Sequence, residues 1–172
     1  MMEATDVLDV LAVLAEDGVS VVLDGGWGID ALLGAQHRDH DDLDLVVGVE
    51  HLDAAVGSLT GAGFEVREDR RPTSVALADR EGRRVDFHVV GPEVDGVRWQ
   101  PAGGPDGTDR RYPVAATTSG WVGGEVVACV DAQLQVDHHH GFEPRPEDVH
   151  DLRLLQKQFG VSLPEGYWEV AR

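Results

Sequence analysis

Two short runs concentrate the residues of this chain that could do chemistry. Gly25-Gly26-Trp27-Gly28-Ile29-Asp30 follows an apolar stretch, and Arg38-Asp39-His40-Asp41-Asp42-Leu43-Asp44-Leu45 carries an Asp-x-Asp pair at the head of a second one. Glycines between a strand and a helix let backbone N–H groups approach a phosphate, and the helix start adds the positive end of its dipole. Side chains at i and i+2 of a strand share a face, so Asp42 and Asp44 stand side by side and repel until a cation relieves them. Magnesium takes one or two carboxylates together with phosphate oxygens and water, which suits the pair. Each half alone has a bland reading. A lone Gly-Gly marks many tight turns, and acidic loops are common in a chain this acidic.

A third carboxylate is needed to hold a second metal or to accept a proton. Asp86 in Arg84-Val85-Asp86-Phe87-His88-Val89 is the best candidate, because an acid on an otherwise apolar strand is costly unless it meets a cation or water. The bland alternative is a one-sided sheet with Asp86 and His88 facing solvent. Arg38 and His40 lie just upstream of the Asp pair and are expected on the nucleotide side, where Arg38 would neutralise phosphate oxygens. The glycine run is neither a dinucleotide fingerprint nor a P-loop, since no Gly-Lys-Ser/Thr follows it. Trp27 reads as core. The triple His138-His139-His140 cannot direct three adjacent side chains one way, which argues against a dedicated metal site there.

The elements that must position these residues follow from periodicity. Thr5–Glu16 places Val7, Leu8, Leu11, Val13 and Leu14 on a helical stripe, with Thr5 and Asp6 as caps and Gly18 as its stop. Val19–Leu23 reads as a strand, Asp24-Gly25-Gly26 as a turn, and Trp27–Leu33 as a helix closed by Gly34. Leu43–Val47 is a second strand, and 53–61 a helix. Strands are expected at 64–67, 74–77 and 84–90, the last two joined through Asp79-Arg80-Glu81-Gly82. Residues 92–107, rich in Gly and Pro, read as loop with irregular strand. Val126–Val130 is a last strand, a helix begins between 130 and 135, and 145 or 146 to 159 forms a C-terminal helix ended by Gly160.

With 172 residues and 42% apolar content, one domain is expected: a core over about 5–92 and a C-terminal part over about 93–172. No apolar run reaches the roughly 18 residues a membrane span needs. Residues Met1–Asp9 carry acids where a signal peptide would carry lysines, so a cytoplasmic location is expected. Cys129 is the only cysteine, which excludes an internal disulfide and a Cys-rich zinc site. The formal charge of −18 argues against nucleic acid as a partner and suits a cationic small molecule, though acidity also serves solubility alone. Lys157 is the sole lysine among fourteen basic residues.

The run Gly25-Gly26-Trp27-x-x-Asp30, then Arg38-x-His40-x-Asp42-x-Asp44-Leu45, resembles the small antibiotic nucleotidyltransferases: the lincosamide and aminoglycoside 2″-type adenylyltransferases of the polymerase-beta-like superfamily. His139-x-Gly141-Phe142-Glu143, Asp148-x-x-Asp151 and Phe159-Gly160 look like the same group, and the resemblance covers about residues 5–163. It departs where Phe142 replaces a frequent tyrosine, and where the wider superfamily carries Gly-Ser at position 26. The resemblance implies an α/β (α+β) nucleotidyltransferase fold, a mixed sheet flanked by helices with a short C-terminal helical extension. It implies Mg2+ and ATP, with Asp42 and Asp44 as metal ligands and Asp86 as third ligand or general base. Gly25 and Gly26 would contact the triphosphate, with Arg38 beside it. The implied activity is transfer of AMP to a hydroxyl of a small molecule, an aminoglycoside- or lincosamide-like antibiotic. The acids Glu125, Asp131, Asp137, Glu143, Glu147 and Asp148 slightly favour a cationic acceptor, and the short chain leaves room for a homodimer that completes the acceptor cleft. Two alternatives stay open: a relative that modifies a protein target, as in toxin–antitoxin pairs, and a non-catalytic ligand-binding relative.

Overall fold

The computed structural model describes residues 1–141, 143–164 and 167; Phe142 lies outside them. A seven-stranded mixed sheet organises the molecule in the order β3-β4-β5-β2-β1-β9-β8. Its strands are β1 (Val21–Leu23), β2 (Leu43–Gly48), β3 (Glu65–Arg70), β4 (Ser74–Ala78), β5 (Arg84–Val90), β8 (Thr117–Val122) and β9 (Glu125–Val130). A separate two-stranded ribbon pairs β6 (Val97–Gln100) with β7 (Arg110–Pro113). The helices are α1 (Ala4–Glu16), α2 (Gly25–Leu33), α3 (Leu52–Gly61), α4 (Ala132–Asp137) and α5 (Pro146–Phe159). β5 lies parallel to β2 and β9 parallel to β1, while the other neighbours in the sheet are antiparallel.

Alternation along the strands decides which face of the sheet packs. Leu43, Leu45 and Val47 of β2, with Val85, Phe87 and Val89 of β5, join Val7, Val10 and Leu14 of α1 and Ala55 and Leu59 of α3 in the main core. The opposite set, Asp44 and Val46 of β2 with Asp86, His88 and Val90 of β5, faces the other way. There Val46, Val90, Val130, Leu134 and Tyr112 form a small apolar cluster of their own. A third cluster ties Ile29 of α2 to Val136 of α4 and to Val149, Leu152 and Leu155 of α5.

Most elements expected from periodicity are present, with differences that have physical reasons. The second helix begins at Gly25, because the Asp24 side chain caps it by accepting from the Gly25 N–H at 2.9 Å. The first helix is capped at Glu3 rather than at Thr5 or Asp6, with Asp6 accepting from the Glu3 N–H. The stretch 92–107, expected as loop with irregular strand, carries β6, whereas β7 and β8 had no sequence signal. Three residues of β8 near its start are exposed, so no alternation marks it. Strands β8 and β9 join the sheet beside β1, so residues on both sides of position 92 build one layer. Among the described residues, no helix is long and apolar enough to cross a membrane.

Candidate active site

The site gathers where β1 ends and β2 begins. Asp24 closes β1 and is buried beneath four partners: it accepts from the Gly25 N–H, from the Tyr112 hydroxyl at 2.9 Å, and stands 3.6 Å from His88 Nδ1 and 3.8 Å from His138 Nδ1. Gly25 has φ +57°, and a Cβ there would overlap Asp44 Oδ2. A Cβ on Gly26 would overlap the imidazole of His40 and crowd the Arg38 guanidinium. Gly25 is therefore fixed by backbone freedom and close approach together, and Gly26 by close approach alone. Gly25→Ala is expected to cost about 1–2 kcal/mol of backbone strain and to displace Asp44. Misplacement on that scale lowers turnover by about 10²-fold. Thermal unfolding and turnover measured on the same preparation check both parts.

Asp42 immediately precedes β2, and the parallel register sets Asp44 directly beside Asp86 on β5. The three predicted carboxylates are thus brought to one sheet end by one strand pair. Burial raises the Asp42 pKa, and the charges of Asp44 and Asp86 raise it further. Mutual repulsion of this kind is what a divalent cation relieves, and an all-oxygen donor set suits magnesium. Asp86 differs from the other two in its partners. Arg84 holds both its oxygens, Nε at 3.0 Å and Nη2 at 2.9 Å. Among the described residues, no three His, Cys, Asp or Glu side chains converge into a metal cage. The pair Asp42 and Asp44 would hold the ion with substrate oxygens completing its shell.

His88 alternates with Asp86 on β5 and reaches Asp44 Oδ1 through Nε2 at 3.2 Å and the Tyr112 oxygen through Nδ1 at 3.2 Å. Burial alone would lower its pKa, but contacts with Asp24 and Asp44 outweigh that and push it up to about 10. Burial likewise works to raise the Asp24 pKa, yet His138 and His88 hold it well below the ordinary carboxylate value. The His88 ring therefore bridges Asp24 and Asp44 at the centre of the site. His138 packs edge-on against Tyr112 with ring centroids 4.7 Å apart, while His139 Nδ1 lies 2.7 Å from the Gln135 carbonyl and His140 Nδ1 3.2 Å from that of Asp137. The three histidines point to separate partners, as adjacency requires.

A cleft of about 350 Å³ opens over the glycine turn, lined among others by Asp24, Gly25, Gly26, Arg38, His40, Asp42 and Asp44. Asp86 is not part of its lining. Arg38 is in the cleft, but its guanidinium is clamped by Asp151 of α5, Nε at 2.9 Å and Nη2 at 2.8 Å. His40 is buried, with Nε2 2.5 Å from Asp30 and its ring 5.0 Å from that of Trp27. It supports the glycine turn from behind. Asp151→Asn is expected to lower stability by about 2 kcal/mol, the worth of a charge-assisted hydrogen bond. It should also weaken nucleotide binding several-fold as Arg38 loses its fixed position, and urea titration and calorimetry check the two effects.

Of the six acids expected to shape an acceptor site, only Glu147 and Asp148 line the cleft. Asp131 caps α4, Asp137 accepts from Gln133, and Asp148 is paired with Arg145. Sequence reasoning missed Asp24, Tyr112 and Asp151 as partners in the site. Asp24 was in view only as a turn residue and Asp151 only as part of the family motif, whereas Tyr112 lies on a ribbon strand that carried no signal.

A glycine-opened helix facing an Asp pair, with a third carboxylate on the adjoining parallel strand, defines a nucleotidyltransferase site. The solved lincosamide adenylyltransferase LnuA, in its lincomycin-bound crystal structure, has the same fold: TM-score 0.77 at 24% identity over 88% of this chain and 95% of that one. ANT(2″)-Ia in complex with adenylyl-2″-tobramycin matches at TM-score 0.69 and 21% identity over 90% of this chain and 87% of that one. A lincosamide resistance protein of Staphylococcus haemolyticus is 25% identical over 138 residues, 80% of this chain and 84% of its own. The model of the aminoglycoside-2″-adenylyltransferase family matches residues 6–155, and the chain belongs to that family. It is an enzyme of the nucleotidyltransferase class.

Proposed function

We propose that this enzyme transfers AMP from magnesium-bound ATP to a hydroxyl of a small antibiotic of the lincosamide or aminoglycoside kind. The observation that carries the reading is the β2–β5 register, which sets Asp44 beside Asp86 with Asp42 two residues upstream, at the mouth of the Gly25-Gly26 turn. Family membership and the names of the relatives support an antibiotic as acceptor.

When bound, magnesium would neutralise charge on the phosphate oxygens and orient them for in-line attack. Asp42 and Asp44 would hold the ion. The Gly25 N–H is taken by Asp24, so the N–H groups that follow it at the start of α2 would face the triphosphate. Arg38, fixed by Asp151 and by the Asp39 carbonyl, would offer the second N–H of each Nη to phosphate oxygens. The acceptor oxygen forms a bond to the α-phosphorus, the bond from that phosphorus to the bridging oxygen breaks, and pyrophosphate leaves. Asp86 takes the proton of the attacking hydroxyl on a lone pair that Arg84 leaves free, since each carboxylate oxygen has two. The test is mass spectrometry of lincomycin and tobramycin after incubation with the enzyme and Mg-ATP. An adenylylated product with either supports the reading, and recovery of both acceptors unmodified beside intact ATP overturns it.

A further inference from the structure

A second pocket lies on the same sheet face as the carboxylates, and the nucleotide cleft does not include it. Its volume is about 250 Å³, and its floor and walls are Val22, Val46, Val90, Val130, Leu134 and Val114. The sheet places it. Val46 follows Asp44 by two residues, Val90 follows Asp86 by four, and Val22 precedes Asp24 by two, so each valine shares a face with one acid. At about 3.3 Å per residue, the apolar wall begins roughly 7 Å from Asp44. His88 and Tyr112, joined at 3.2 Å, form the partition between the two chambers. Its charge pattern is also informative. Among the described residues, the one carboxylate lining this pocket is Glu50, and it is engaged by Arg98 at 2.7 Å. The other ionisable groups facing it are His51 and Tyr112.

We infer that this pocket receives an apolar arm of the acceptor and makes Val46, Val114 and Leu134 specificity-determining residues, so that the enzyme prefers an amphiphilic, singly charged acceptor to a polyamine. The inference rests on the proposed AMP transfer. Specific ligand sites usually enclose 300–1,000 Å³, so this pocket holds part of an acceptor, with the rest of the molecule spanning the partition toward Asp86. A polycation would find no free carboxylate among the pocket's described lining, because Glu50 and Arg98 neutralise each other there. The amphiphile gains there the burial of its alkyl or ring carbons. This preference runs opposite to the one that the overall acidity of the chain suggests, because most of that acidity lies elsewhere.

Lincomycin, with an alkyl-bearing ring and one basic nitrogen, and tobramycin, a polyamine, are suitable probes. Calorimetry and product formation are compared for the native enzyme, Val46→Asp, and the rim variant Val114→Trp. Val114 is 45% exposed, so the second variant fills the mouth without disturbing the core. The expected result is lincomycin binding at least tenfold tighter than tobramycin, lost tenfold or more in Val114→Trp while the Mg-ATP Kd is unchanged, and a narrowed preference in Val46→Asp. Lincomycin affinity unmoved by Val114→Trp, or tobramycin preferred by the native enzyme, overturns the pocket assignment and leaves AMP transfer standing. Pocket-dependent lincomycin binding with no adenylylated product from either probe supports the pocket and overturns the transfer.

Discussion

Asp44→Ala is expected to lower the proposed AMP transfer by about 10³ or more while the protein remains folded. Asp44 is where three demands meet: it stands beside Asp86 in the β2–β5 register, packs against Gly25, and accepts from His88. Losing a metal ligand removes several kcal/mol of transition-state charge stabilisation, and about 4 kcal/mol is about 10³ in rate. Stability should change far less. The His88 contact is lost, but the repulsion that raises the Asp42 pKa falls with it. A urea midpoint within about 1 kcal/mol of the native value, with turnover down by about 10³ or more, is the expected pair of readings. Asp42→Ala should behave alike. Turnover retained in either variant removes the two-carboxylate assignment.

Asp86→Asn separates the base role from the binding role. The amide keeps the shape of the side chain but cannot take up the hydroxyl proton. Loss of a general base lowers kcat by about 10²–10⁴. The Mg-ATP Kd should stay within about threefold, because the nucleotide cleft is lined without Asp86. The partnership with Arg84 makes the stability cost modest, since Arg84 is half exposed and finds water when the carboxylate is gone. Stopped-flow or steady-state kinetics with equilibrium nucleotide binding gives both quantities. A large fall in ATP affinity with little change in turnover would identify Asp86 as a ligand of the nucleotide-bound ion rather than as the base.

Much of this arrangement was legible from local pattern. The glycine pair, the Asp-x-Asp step and the acid on an apolar strand are local signals, and α2, β2 and β5 carry them as expected. Periodicity works there because each strand has one face in the main core. It fails for β7 and β8, whose residues face solvent or a small cluster and show no sustained alternation. What local pattern could not supply is pairing at long range. Arg38 and Asp151 lie 113 positions apart, and Tyr112 and Asp24 lie 88 apart. The count of acids in the C-terminal half pointed to a cationic acceptor, but Asp131 caps a helix, Asp148 is paired with Arg145, and Asp137 is bound by the Gln133 amide. Composition reports charge, and only the fold reports where that charge is spent.

The most direct test of the central claim follows the two ends of the nucleotide. Native enzyme is incubated with an acceptor and ATP labelled either at the α- or at the γ-phosphate, with the Asp42→Ala/Asp44→Ala double variant as control. Label from the α-phosphate on the acceptor, label from the γ-phosphate in released pyrophosphate, and neither product in the double variant is the predicted result. Label from the γ-phosphate on the acceptor, or α-label transfer undiminished in the double variant, would contradict it.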